Sequence, residues 1–103
     1  MYDLPIDPYA RPKKNKDADF EAVNSPLNRI PGIELHAVRD LLDIGISQVY
    51  ELSGRSPDVL YEEIRKKKPA TPRTRIASLR LAVYYAETPS PEQSKLSRWA
   101  WQD

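Results

Sequence analysis

Two groups of residues could do chemistry here, and both point to an anion. The first is the run Pro31-Gly32-Ile33-Glu34, where a proline-glycine corner opens onto an apolar-striped segment. A glycine lets backbone come close to a ligand, and a helix start offers unbonded N–H groups at a positive dipole end, so such a corner can hold a phosphate. The second is a basic strip. Residues 65 to 80 carry seven bases and no acid, among them Arg65, Lys66, Lys67, Lys68, Arg73 and Arg75. A local strip of one sign attracts a polyanion even on a near-neutral protein. The same strip also reads as a helix C-terminus followed by a solvated loop, because Lys and Arg favour that dipole end. Residues 34 to 63, by contrast, carry seven acids against two bases.

Other chemistries are excluded or weak. There is no cysteine and only one histidine, His36, which removes thiolate and histidine-rich metal sites. His36 has no nucleophile constellation around it and reads as a partly exposed polar residue. Asp40 and Asp43 read as surface carboxylates, which need not hold a metal. Glu62 and Glu63 read as i, i+4 partners of Lys66 and Lys67. We therefore expect a protein that is not an enzyme, with no catalytic residue, no metal and no cofactor.

The elements that must position these residues follow from punctuation and period. A chain of 103 residues with formal net charge +1 makes one small domain with a thin core. No apolar run approaches the ~20 residues that cross a bilayer, and "MYDLPIDPYARPKK" lacks a signal-peptide layout, so a soluble cytoplasmic protein is expected. Residues 1–24 read as an extended or partly disordered arm, with Pro5, Pro8 and Pro12 blocking helix and a second basic cluster at Arg11, Lys13, Lys14 and Lys16.

From Ser25 onward a hydroxyl-proline pair recurs: Ser25-Pro26, Ser56-Pro57, Thr71-Pro72 and Ser90-Pro91. The hydroxyl can cap first-turn amides and the proline presets φ for that turn. Ser90 to Gln93 also fits a capping box. Gly32, Gly45 and Gly54 fall between or at the ends of these segments. Helical stripes agree: Leu35, Val38 and Leu42, widened by Ala37 and Leu41; Val49 and Leu52; Leu60 and Ile64; and Ile76, Leu79, Val83 and Ala86. Arg73, Arg80 and Glu87 read as that last helix's solvent face. Leu81, Tyr84 and Tyr85 make its second half apolar on most sides, which predicts that it is central. No strand period appears. The expectation is all-α, a compact bundle of about five short helices over residues 25–103.

Pro31 biases Ile30 away from helix, Gly32 lets the chain reverse, and Ile33 plugs the gap between two helices. That is a helix-hairpin-helix corner. The run "IPGIELHAVRDLLDIGI" resembles helix-hairpin-helix proteins. With "VYELSGRSPDVLYEEI", "RLAVYYAE" and "RWAWQD", residues 25 to 103 resemble the pathogenicity-locus family, akin to mitomycin-resistance-type proteins. The resemblance implies a SAM-like helical domain. In DNA-binding relatives of that broad class the hairpin amides meet a phosphate, but Glu34 stands here where the pattern has its second glycine.

Two functions follow. One is non-specific DNA binding through backbone phosphates, by Pro31, Gly32, Ile33, Glu34 and the six basic residues named above. The other is a protein-interaction module whose phosphate loop has decayed. Either would work as a monomer or weak homodimer away from membranes. Tyr84 and Tyr85 read as core, and "RWAWQD" as an irregular tail folded back on the domain with at least one indole buried.

Overall fold

The computed structural model of the protein describes residues 20–102, and these are helices and turns with no strand among them. Three α-helices carry the fold: α1 (Leu35–Asp43), α2 (Pro57–Lys67) and α3 (Arg75–Glu87). Four 3-10 turns join or follow them, at Pro26–Arg29, Val49–Leu52, Gln93–Lys95 and Arg98–Trp101. Of the five expected helical segments, three are α-helices and two, Pro26–Arg29 and Val49–Leu52, are single 3-10 turns. Most of the expected arm lies outside the described residues. Its last part does not behave as an arm: residues 20–23 are helical and Ala22 is fully buried, so the packed chain begins before Ser25.

Helix α3 is central, as its apolar circumference predicts. Ile76, Ala77, Ser78, Leu79, Leu81, Ala82 and Val83 are all buried. It packs against α2, the 49–52 turn and the 98–101 turn. Of the stripe expected to face solvent, Arg73 and Glu87 are exposed, while Arg80 is half-buried and donates to the Trp101 carbonyl at 2.8 Å; Glu87 also accepts the Gly54 N–H at 2.6 Å.

The hydroxyl-proline device works at two of its four places. Ser25 accepts the Leu27 N–H at 3.1 Å, and Ser56 accepts the Val59 N–H at 3.4 Å with Pro57 in the first turn. At Thr71-Pro72 the hydroxyl instead donates back to the Lys68 carbonyl at 2.7 Å, and α3 starts only at Arg75. At Ser90-Pro91 no capping box forms. The Glu92 N–H goes to the Tyr84 phenol oxygen at 2.9 Å, and the next turn begins at Gln93.

The corner at Pro31-Gly32 is a tight turn. The Ile33 N–H donates to the Ile30 carbonyl at 3.3 Å, with Gly32 at φ +75°. Proline then glycine at the two central positions is the type II pattern, which needs a positive φ at the second. Ile33 is part-buried against the core, as expected of a plug. At the other end of α1, the Ile46 N–H reaches the Leu41 carbonyl (2.9 Å) and the Gly45 N–H reaches that of Leu42 (3.1 Å). That pair is a Schellman stop, and Gly45 supplies its left-handed residue.

The α1 stripe is rotated from expectation. Ala37, Val38 and Leu41 are the fully buried positions, with Asp40 beside them, while Leu35 is exposed. The tail does fold back. The Trp101 ring lies 5.2 Å from that of Tyr84, and its indole N–H donates to the Lys95 carbonyl at 2.9 Å. Trp101 is only part-buried, Trp99 is exposed, and Tyr84 and Tyr85 sit at the core's edge rather than inside it.

Two stability predictions follow from these packings. A methyl added at Gly32 would meet the Leu96 carbonyl oxygen at 3.1 Å, whereas one at Gly45 meets nothing. Gly32→Ala should therefore cost about 2–3 kcal/mol in urea unfolding, and Gly45→Ala only the φ penalty of about 1 kcal/mol. Deleting residues 98–103 should lower the Tm by about 10 °C, since the lost packing on Tyr84 is worth roughly 2 kcal/mol. An unchanged melting temperature would show that the tail adds nothing.

Candidate functional site

The residues singled out for anion binding divide into three places. At the corner, Gly32 is exposed to solvent on one side and crowded on the other. Its Cα faces the backbone of Leu96 and Ser97, and its carbonyl accepts Arg98 at 3.4 Å. Glu34, just before α1, makes no side-chain cap on that helix. Its carboxylate turns toward α3 and the last turn instead. It pairs with Arg75 Nε at 3.1 Å, accepts the buried Ser78 hydroxyl at 3.2 Å and meets Arg98 Nε at 3.6 Å.

Three bases of the strip are spent on α1. Asp40, read from the sequence as a surface carboxylate, is only 2% exposed. It pairs with Arg75 in a very short contact and with Lys68 at 2.9 Å. Lys68 also meets Asp43 at 2.5 Å, and the Lys67 ammonium donates to the Asp43 carbonyl at 2.9 Å. An isolated buried carboxylate would be strongly disfavoured, so Asp40 requires these partners. The i, i+4 pairing expected of Glu63 is replaced by Arg55 at 3.2 Å. Partial burial pulls the Lys68 pKa down, but hydrogen bonds to Asp43 and Asp40 outweigh it and hold the value above the ordinary 10.5.

The remaining bases form a second locus. Arg65 and Arg73 lie over the Tyr61 ring, 5.9 and 5.4 Å from its centroid, and the exposed Lys66 is on the same turn of α2 as Arg65. Cation–π contacts of this exposed kind add about 0.5–1 kcal/mol. The sequence-derived set is therefore not one surface. Arg75, Lys67 and Lys68 are tied to α1, whereas Arg65 and Arg73 share the Tyr61 ring.

Reading the sequence missed three residues at the corner. Arg98 clamps Glu34 and the Gly32 carbonyl, Ser78 completes the Glu34 shell, and Trp99 stands 65% exposed with the Arg98 guanidinium 4.9 Å over its ring. Asp40 carried a usable signal, since it lies three residues after Ala37 and next to Leu41 on the true apolar face. The pairing of a distant Arg98 with Glu34 carried none.

These features first define a small all-helical domain with no helix long and apolar enough to cross a membrane, and no metal-holding cluster, among the described residues. The family model of the pathogenicity-locus (Cdd1) proteins matches residues 21–103, and the chain belongs to that family. No curated protein and no solved structure matches it.

The Asp40 cluster gives a direct test. Asp40→Asn keeps the shape but leaves Arg75 and Lys68 with only Glu34 and Asp43 as acidic partners, and should cost about 2–3 kcal/mol, discounted from the fully buried case because Lys68 is 40% exposed. A group whose pKa is raised on folding contributes fully below its unfolded value. The Asn variant's deficit should thus be constant near neutral pH and shrink as Lys68 deprotonates above 10.5. Urea titrations of both proteins across pH 6 to 11 would check it.

Proposed function

We propose that this protein is a non-catalytic helix-hairpin-helix module on a SAM-like scaffold that binds another protein, its phosphate loop having been given over to internal packing. One observation carries this reading: the carboxylate of Glu34 stands at the corner beside Gly32, where it would repel a phosphate, and is fixed there by Arg75, Ser78 and Arg98. The charges agree. Glu34 is held by Arg75 and Arg98 rather than replaced by a glycine, and three bases of the strip neutralise α1. What the corner presents outward is Trp99 under Arg98, with Leu35 exposed next to Glu34. Exposed Trp and Arg are the residue types that dominate protein–protein binding energy. We take it to act in the cytoplasm as a monomer or weak homodimer.

A second reading keeps non-specific DNA binding. It is favoured by Arg65 and Arg73 on the Tyr61 ring, with the exposed Lys66 next to Arg65 in sequence, and by the first-turn amides of α1, which receive no side-chain cap. Phosphates contacted there would each add about 0.9 to the salt slope.

The two readings separate in one pair of experiments. A photo-crosslinker at position 99 of the full chain should give a discrete protein adduct in cells that survives nuclease. Fluorescence anisotropy with duplex, single-stranded and junction DNA should show no salt-dependent binding. A nuclease-sensitive adduct, or DNA binding with a salt slope of about 3 that Arg65→Glu/Lys66→Glu/Arg73→Glu abolishes, would overturn the protein-binding reading.

A further inference from the structure

On the side of α3 that carries Tyr84, a groove of about 490 Å³ runs between Pro57 at the head of α2, Val83, Tyr84 and the last turn at Ala100–Gln102. Its aromatic wall is the tilted Tyr84–Trp101 pair. Both rings are pinned: the Trp101 indole N–H by the Lys95 carbonyl, and the Tyr84 oxygen by the Glu92 N–H. A rigid aromatic wall facing proline and small apolar side chains is the surface on which extended PxxP segments dock, because such segments reach the binding conformation with little entropy left to lose.

The charges around the groove select among such segments. Arg80 lines it, and the Lys95 ammonium lies 5.7 Å over the Tyr84 ring. Against these two bases stands one acid of the lining, Glu87, which accepts the Gly54 N–H, while Arg80 also donates to the Trp101 carbonyl. The groove therefore favours a proline-containing occupant with acidic side chains.

This chain carries one. Residues 2–9 read Tyr-Asp-Leu-Pro-Ile-Asp-Pro-Tyr, with Pro5 and Pro8 in PxxP spacing, two acids at Asp3 and Asp7, and no basic side chain. In a three-residue-per-turn helix Tyr2, Pro5 and Pro8 share one face. The ten residues between Tyr9 and Phe20 can span about 33–36 Å when extended, comparable with the width of a domain this size. We propose that the groove is the docking site for the chain's own Tyr2–Tyr9 segment, which lies outside the described residues. This inference does not depend on what the Gly32 corner binds.

The absence of cysteine makes the test clean. A nitroxide on Ala10→Cys in the full-length, isotope-labelled chain should broaden the Trp101 indole and Ala100 amide signals more than the Gly45 amide. Pro5→Ala/Pro8→Ala in the same chain should relieve that broadening, with the docked population falling roughly tenfold, equivalent to about 1.4 kcal/mol. The arm variants leave every packed residue described above untouched, so loss of fold cannot imitate the result. The proposal is overturned if Trp101 is not broadened, or if the proline variant broadens it equally. It is also overturned if broadening appears only when spin-labelled copies are mixed with isotope-labelled ones, for then a second copy's arm fills the groove.

Discussion

A single buried carboxylate organises this small domain. Asp40 sits among Ala37, Val38 and Leu41 on the core face of α1, where a charge is tolerated only with close partners. Those partners come from elsewhere: Lys68 from the connection after α2, and Arg75 from the first turn of α3. Meeting the need of one side chain thus sets how three helices lie relative to one another. It also explains the late start of α3. The chain leaving α2 must carry Lys68 to α1, and the Thr71 hydroxyl holds that connection by bonding back to Lys68. Only afterward does helix resume with Arg75 in reach.

The same need gives meaning to the charge asymmetry of the sequence. The acid-rich stretch and the base-rich stretch that follows are two halves of an internal pairing, at least at Glu34, Asp40 and Asp43. Linear proximity of Lys67, Lys68, Arg73 and Arg75 suggested one cationic ridge. Folding splits it, because Lys67 and Lys68 turn toward α1 while Arg73 and Arg65 share the face of Tyr61.

Much of the architecture was legible where local chemistry decides it. The Ser56-Pro57 start, the Gly45 stop, the Pro31-Gly32 reversal and the central α3 all follow from backbone geometry or an apolar circumference. What was not legible depends on distant partners. Thr71 and Ser90 have the right types for caps, but Lys68 and Tyr84 impose other bonds nearby. The expected stripe of α1 lies one step around the helix because Leu35 and Leu42 outweigh Ala37 and the charged Asp40 in a count of apolar residues. The packing instead chose the face that brings Asp40 inward. Nothing local to the corner signalled that Leu96 and Ser97 would lie against Gly32.

That late segment has one more property. The turn Arg98–Trp101 is a single 3-10 turn, yet its first residue holds Glu34 and Gly32 while its last stacks on Tyr84. It works as a short rigid lever with one arm at the corner and the other in the groove. With so few residues between them, a ligand that lifts the indole is expected to strain the contacts of the guanidinium. Two surfaces that share no lining residue are thereby mechanically joined through the chain's C-terminal end.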